Sequence, residues 1–149
     1  MSHDDRRAGV ARNGGGVQAS AVVAATVVYD GDCGFCTAFV EAASRRLRTR
    51  VSTVPWQRAD LAALGLTEDD ARLALQWLGA DGVRLSGHRA VAAWLRGAGG
   101  VWRVCAALLT APGLSAVAAA AYRLVAANRR RIPGPWERSC AVPPADQGR

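Results

Sequence analysis

The chain has 149 residues, of which 50% are hydrophobic and 21% are charged. This length predicts one domain with a buried core, and this composition excludes wholesale disorder. The 19 positively charged side chains are all arginines and outnumber the 12 acidic residues, which gives a net charge of +7. The four cysteines are too few for a disulfide-stapled mini-protein.

The N-terminal residues 1–20 are polar, glycine-rich and charged, so we expect a disordered leader without a secretory signal. A β-branched and aromatic run predicts the first strand at Thr26–Tyr29, and apolar residues at helical spacing predict a helix after Gly34. The later predicted elements are strand 51–54, helix 61–64, a possible capped turn at 67–70, a hairpin of strands 73–78 and 83–85, and helices 87–96, 101–110 and 114–130.

The order of these elements is β-α-β-α-β-β-α, followed by helices alone. A helix joins the first two strands, which are therefore expected to be parallel, and the Asp81-Gly82 turn predicts an antiparallel hairpin. We predict an α/β fold: a thioredoxin-like mixed four-stranded sheet with helices on both faces, plus an all-helical C-terminal extension. The core is expected over residues 21–99, with the extension and tail, 100–149, packed on it.

A Cys-x-x-Cys motif, Cys33 to Cys36, lies at the first strand-to-helix junction, where such a motif indicates redox chemistry. The free N–H groups and the dipole at a helix N-terminus favour a thiolate, which is the nucleophile in disulfide exchange. We therefore predict that Cys33 attacks and that Cys36, one turn deeper, resolves the mixed disulfide. Asp30 and Asp32 should raise the pKa of Cys33, and Asp30 could instead relay a proton to Cys36.

Two other interpretations of the motif remain open. The pair could be half of a zinc site, completed by His88, Cys105 or Cys140, although none of these forms a second metal-ligand pair by spacing. The two cysteines could also be inert, in a binding module without turnover. We expect neither a metal nor an organic cofactor.

The motif Asp30-x-x-Cys33-x-x-Cys36, after the strand Val27-Val28-Tyr29, resembles the signature of the DCC family of thiol–disulfide oxidoreductases. Further matches are Pro55-Trp56-Gln57, Gly87 with Ala90, Ala127-Asn128-Arg129 and Cys140, so that the resemblance covers roughly residues 27–143. It implies a thioredoxin-like fold and protein-disulfide reduction. The chain lacks a proline over residues 66–72, where general thioredoxins carry a cis-proline that clamps the substrate.

Parallel strands end at the same edge of a sheet, which places Pro55, Trp56 and Gln57 beside the cysteines. Trp56 could form an apolar rim for a peptide substrate or simply pack the core, and Gln57 could provide a hydrogen bond. We interpret His88 as a surface or capping residue, Cys105 as a core residue and Cys140 as an anchor of the tail or a third redox cysteine.

The expected partners are a disulfide-containing protein or small-molecule substrate and an unidentified electron donor. The run Arg129-Arg130-Arg131 could contact phosphate or anionic lipid, but we interpret it as a solvated helix end. No aromatic-plus-basic pattern predicts a nucleic-acid partner. The apolar stretch Val104–Tyr122 is interrupted by Pro112-Gly113, so two packed helices are expected rather than a membrane segment. Paired cysteines without a secretory signal predict the cytoplasm.

Overall fold

A computed structural model describes residues 25–134. The predicted leader and Cys140 lie outside these residues. The strands are β1 (Thr26–Tyr29), β2 (Ser52–Pro55), β3 (Gln76–Leu78) and β4 (Arg84–Ser86). The helices are α1 (Gly34–Leu47), α2 (Leu61–Leu64), α3 (Glu68–Leu73), α4 (His88–Ala98), α5 (Gly100–Thr110) and α6 (Leu114–Asn128), with a 3-10 turn at Trp56–Arg58.

The four strands form one mixed sheet in the order β2-β1-β3-β4. β1 and β2 are parallel, with Tyr29 opposite Pro55, whereas β3 is antiparallel to both β1 and β4. The predicted fold class, a thioredoxin-like mixed sheet with a helical C-terminal region, is confirmed.

The core lies between the central strand and two amphipathic helices. Val27 packs with Val40 of α1 and with Trp94 of α4, and all three side chains are fully buried. Successive strand residues point to opposite faces, and Val28 is fully buried as well, so both faces of β1 are covered. The indole N–H of Trp94 donates to Thr49 Oγ1 at 2.9 Å, which satisfies its polar atom inside the core.

The boundaries around the hairpin differ from the prediction. A strand was predicted from residue 73, but α3 continues to Leu73 and β3 begins only at Gln76. The reason is a capping box in which the Thr67 hydroxyl accepts from the Asp70 N–H and the Asp70 carboxylate accepts from the Thr67 N–H. The possible capped turn at 67–70 is thereby confirmed as the start of a helix.

The last two helices contact α4, each other and the segment just before β3. α5 packs closely against α4, and α6 packs against α5. The Tyr122 hydroxyl of α6 accepts a hydrogen bond from the Leu75 N–H, just before β3, at 2.9 Å. Within residues 25–134, no single helix is long and apolar enough to cross a membrane. The helices α5 and α6 together would have the length and the apolar composition of a membrane span, but they are bent by 93° at the break between them.

Candidate active site

Cys33 occupies the N-cap of α1, directly after the turn that follows β1. Its backbone is extended, and its sulfur accepts a hydrogen bond from the Cys36 N–H at 3.2 Å. This contact uses one of the free N–H groups in the first turn of the helix, as the sequence predicted from the strand-to-helix junction. The residue is only 2% exposed, so the sulfur lies beneath its neighbours rather than at the surface.

The environment of Cys33 stabilises its thiolate. The pKa of Cys33 is lowered to about 6, first by the hydrogen bond from the Cys36 side chain and then by the Cys36 N–H and the charge of Arg129. Burial opposes this shift, and the Asp30 carboxylate opposes it least. Asp30 therefore raises the Cys33 pKa, as predicted, but the hydrogen bonds from Cys36 and the charge of Arg129 lower it by more.

Cys36 is the protonated member of the pair. Its pKa is raised, because its thiol donates to Cys33, because it is partly buried, and because the Cys33 thiolate repels a second negative charge. Its position differs from the prediction in one respect: Cys36 is half-buried, and it is Cys33 that is almost fully covered.

Asp30 is a buried carboxylate, 2% exposed, that holds the neighbouring segments together. Its Oδ1 accepts from the Asp32 N–H at 3.1 Å, from Trp56 Nε1 at 3.3 Å and from Gln57 Nε2 at 3.3 Å. Its Oδ2 accepts from Arg129 Nη2 at 3.2 Å. A buried charge needs such partners, because an unpaired one would cost several kcal/mol.

The parallel pairing of β1 and β2 brings residues 55–57 beside the cysteine turn, as predicted. The Gln57 amide is used at both ends, since its Oε1 accepts from the Gly31 N–H at 3.1 Å while its Nε2 donates to Asp30. A Cβ at Gly31 would lie 2.8 Å from both Gln57 Oε1 and Pro55 Cβ, so this position requires glycine. Gln57 and Trp56 thus hold the Asp30 turn, whereas substrate binding by residues 55–57 stays a prediction.

Arg129 corrects the interpretation of the arginine run as a solvated helix end. Its side chain is 11% exposed and forms an ion pair with Asp30, 99 positions earlier in the chain. Its Nη1 lies 3.7 Å from Cys36 Sγ, and its Nη2 also donates to the Arg72 carbonyl. Arg130, which lies 3.7 Å from the same carboxylate, has a 71% exposed side chain and fits the original interpretation. The family-like Ala127-Asn128-Arg129 match was the one sequence signal for a role at this position.

An apolar cavity of about 320 Å³ adjoins the cysteine pair. Cys36, Asp30 and Arg129 lie at its polar part, and the remaining lining comes mainly from apolar residues of α1, α4, α5 and α6. His88 also lines it, and its Nε2 lies 3.1 Å from Ser115 Oγ. In the described part of the chain, no group of three or more His, Cys, Asp or Glu residues could hold a metal ion.

The region before β3 lacks the backbone feature of general thioredoxins. Residues 25–134 contain no cis peptide bond, and Ala74 and Leu75 occupy the approach to β3. Leu75 lines the cavity with Cys36, and its N–H is taken by Tyr122 of α6. Cys105 is half-buried on α5 and does not line this cavity; it lines a neighbouring groove between α5 and α6 that shares Leu109 and Ala118 with the cavity.

A mixed four-stranded sheet with a Cys-x-x-Cys pair at the N-terminus of its first helix, one sulfur stabilised as a thiolate and the other protonated, defines a thioredoxin-like redox protein. The model of the DCC1-like thiol-disulfide oxidoreductase family matches residues 27–135, and the chain therefore belongs to that family. No curated protein and no solved structure matches the chain.

Proposed function

We propose that this member of the family is a protein-disulfide reductase in which Cys33 attacks and Cys36 resolves. The observation that carries the proposal is the asymmetry of the pair: the pKa of Cys33 is lowered to about 6, whereas that of Cys36 is raised. At neutral pH one sulfur is ready to attack, and the other keeps its proton until it is needed.

In the first step, the Cys33 thiolate attacks one sulfur of a substrate disulfide. The substrate S–S bond breaks, a bond from Cys33 to the substrate forms, and the other substrate sulfur leaves as a thiolate that takes up a proton. Because Cys33 is 2% exposed, docking of the substrate must move part of the cover over this sulfur.

In the second step, Cys36 loses its proton and attacks Cys33. The mixed disulfide breaks, the second substrate thiol is released, and the pair becomes an intramolecular disulfide. The substrate gains two electrons from the cysteine pair and two protons, one that Cys36 gives up and one from solvent, because Cys33 is already ionised. Once the charge on Cys33 is consumed, the pKa of Cys36 falls, and the nearby Asp30 carboxylate can accept the proton while Arg129 stabilises the new thiolate.

A dithiol electron donor must then reduce the pair for another cycle. We propose the cytoplasm as the site of action, because its thiol pools keep such a pair reduced. The substrate is a disulfide-containing protein or a small disulfide, with Trp56 at the rim of the site.

The test is reduction of a protein disulfide by the full chain with dithiothreitol as donor. Cys33→Ser should abolish turnover and form no adduct, whereas Cys36→Ser should trap a mixed disulfide visible by mass spectrometry. Cys105→Ser is the matched control and should keep full activity, since this thiol lies on α5 and does not line the cavity beside the pair. Adduct formation by Cys33→Ser but not by Cys36→Ser would reverse the two roles.

The direction of the reaction has a separate test. Equilibrium titration of the pair should give a potential in the range of reducing thioredoxins, near about −270 mV, rather than that of a strong oxidant, near about −120 mV. A strongly oxidising value would contradict the assignment as a reductase and would leave the thiol–disulfide oxidoreductase class intact.

A further inference from the structure

The two sulfur atoms of the cysteine pair face different surroundings. Cys36 lines the apolar cavity of about 320 Å³, and Cys33 does not. Cys33 is 2% exposed, whereas Cys36 is half-buried. A small molecule that enters the cavity therefore reaches Cys36 rather than Cys33.

The redox state of the pair decides what can react with Cys36 in the cavity. In the reduced protein the raised pKa of Cys36 keeps it protonated, so a disulfide in the cavity meets no thiolate there. In the oxidised protein Cys36 is one half of the Cys33–Cys36 disulfide and is open to attack by a thiolate. Cys33 is then the leaving group, and a thiol with a lowered pKa leaves faster. The cavity is therefore placed to serve the electron donor rather than the substrate.

The surroundings of Cys36 suit an incoming thiolate. A thiolate displaces a disulfide sulfur in line with the S–S bond, so the nucleophile that expels Cys33 must reach Cys36 from the side away from Cys33. The cavity is lined by Cys36 and not by Cys33, which is the arrangement that this approach requires. Arg129 also lines the cavity, and its Nη1 lies 3.7 Å from Cys36 Sγ, where its charge stabilises the arriving thiolate.

The lining of the cavity decides the chemistry of the donor. Several of the polar side chains in the lining already have partners: Asp30 is paired with Arg129, and His88 Nε2 lies 3.1 Å from Ser115 Oγ. The Tyr122 hydroxyl accepts a backbone N–H. A donor with charged or hydroxyl groups would lose hydration in the cavity without gaining these partners. The large apolar side chains of the lining are Phe35, Phe39, Leu75, Val91, Leu109 and Val125.

The volume of the cavity limits the size of the donor. A cavity of about 150 Å³ holds one benzene molecule. The volume of about 320 Å³ beside Cys36 therefore has room for roughly a dozen carbon-sized atoms. A small molecule of this size fits, and a folded protein does not.

We propose that the cavity binds a small apolar dithiol and that this dithiol donates electrons to the oxidised pair through Cys36. The inference rests on the proposed function, which requires a dithiol donor for each cycle. It assigns the two sulfur atoms to two partners: the substrate disulfide reacts with Cys33, and the donor reacts with Cys36.

Reduction of the pair takes two exchanges. One donor thiolate attacks Cys36, the Cys33–Cys36 bond breaks, and Cys33 leaves as a thiolate that accepts from the Cys36 N–H. The second donor thiol loses its proton and attacks the donor sulfur bound to Cys36, so that Cys36 is released and the donor closes into a cyclic disulfide. The donor loses two electrons and two protons. The pair takes both electrons, Cys36 takes one proton, and solvent takes the other because Cys33 stays ionised.

The second exchange explains why the donor is a dithiol. The raised pKa of Cys36 makes it a poor leaving group, so its release is the harder of the two exchanges. A second thiol on the same molecule attacks at a high effective concentration. A second monothiol would have to enter a cavity that the first already occupies.

The test is reduction of the oxidised full chain by two matched dithiols, butanedithiol and dithiothreitol. Dithiothreitol is butanedithiol with a hydroxyl group on each central carbon, and both close into a ring of the same size. Each rate constant is divided by that of the same dithiol with free hydroxyethyl disulfide, which corrects for intrinsic reactivity. The corrected rate should favour butanedithiol by about tenfold, because hydroxyl groups lose hydration in an apolar cavity.

A pair of variants on α6 tests whether this preference comes from the cavity. Ala121 and Val125 line the cavity, and the residues before them, Ala120 and Leu124, do not. Ala121→Gln with Val125→Gln should reduce the preference for butanedithiol by at least about fivefold, because two amides then face the donor. Ala120→Gln with Leu124→Gln is the matched control and should keep the preference. All four residues are exposed, so folding defects should be small, and the melting temperature of each variant checks this.

The sulfur that the donor attacks has a separate readout. Butanethiol, which has a single thiol, should stop at the first exchange. Acid quenching, alkylation of the unfolded chain and peptide mass spectrometry should then find butanethiol on Cys36 and the alkyl group on Cys33.

Three results would overturn the proposal: an adduct on Cys33, equal corrected rates for the two dithiols, or an equal loss of preference in both variants. Each of them would leave the reductase function intact, because the reaction of the reduced chain with a protein disulfide is measured in a single turnover without any donor. Failure of that single turnover would contradict the proposed function and not the donor site.

Discussion

Replacement of Arg129 by glutamine tests the electrostatics of the site most directly. Glutamine keeps a polar side chain but removes the charge that faces Cys36 and Asp30, and because it is shorter than arginine it also loses the contact with the Arg72 carbonyl. The charge of Arg129 lowers the pKa of Cys33, whereas the Asp30 charge, which Arg129 partly neutralises, raises it. Both consequences of the substitution therefore raise the Cys33 pKa, and we expect a rise of about half a unit to one unit above about 6.

The effect of this substitution on the rate of attack by Cys33 depends on pH. With a pKa of about 6, half of Cys33 is thiolate at pH 6, and the expected rise would leave roughly a tenth to a quarter. The rate of attack at pH 6 should therefore fall about two- to fivefold, while at pH 8, where Cys33 remains almost fully ionised, the rate should change little. Loss of the buried ion pair should also cost about 1–3 kcal/mol of stability, because Asp30 keeps its three donors on Oδ1.

The assay is thiolate ultraviolet absorbance against pH, combined with single-turnover reaction of the reduced protein with a small disulfide. Arg130→Gln is the matched control: it is the next residue and also lies near Asp30, but its side chain is 71% exposed. It should shift the titration curve little, since an exposed charge is screened by solvent. Identical curves for the two variants would refute the role of the Arg129 charge in lowering the Cys33 pKa.

The remaining predictions concern the carboxylate, the turn, pH and the extension. Asp30→Asn should lower the pKa of Cys33 and slow resolution, as measured by thiolate absorbance and by persistence of the mixed disulfide; an unchanged titration would contradict this role. Gly31→Ala should cost about 1–3 kcal/mol in urea denaturation, because its Cβ would lie 2.8 Å from two neighbours, whereas Gly97→Ala, with its nearest atom at 3.7 Å inside α4, should stabilise by about 0.5–1 kcal/mol. Because the Cys33 pKa is lower in the folded state, ionised Cys33 contributes stability above its unfolded pKa, and this contribution is lost as the pH falls toward about 6. The free energy of unfolding of the reduced protein should therefore decline by about 1–2 kcal/mol from pH 8.5 to pH 6. A flat profile of stability against pH would exclude the pKa shift. Truncation after Gly99 removes the contacts of α6 with the site and should lower the melting temperature or cause aggregation, whereas a stable and fully active truncated chain would show that these contacts are dispensable.

The sequence was sufficient to predict the features that arise from short stretches of chain. The strand at Thr26–Tyr29, the helix that starts at Gly34 and the cysteine pair between them follow from residue type and spacing, because local periodicity and free helix N–H groups act over only a few residues. The same reasoning placed Pro55 and Gln57 beside the cysteines, since parallel pairing of two strands joined by a helix leaves little freedom.

Tertiary structure decided how the polar groups at the site are paired. The sequence predicted the effect of Asp30 on a thiolate, but the partner that offsets this charge, Arg129, comes from a position 99 residues away. In the sequence, Arg129 is one of three consecutive arginines, and only the packing of α6 determines which of them reaches the buried carboxylate.

Exposure along α5 and α6 was also decided by packing. Composition alone predicted that these apolar helices would be covered, yet Val101 and Leu124 remain about two-thirds exposed, while Ala106 is fully buried. Periodicity determines which residues share a side of a helix, but which side meets the rest of the protein depends on contacts with elements distant in sequence.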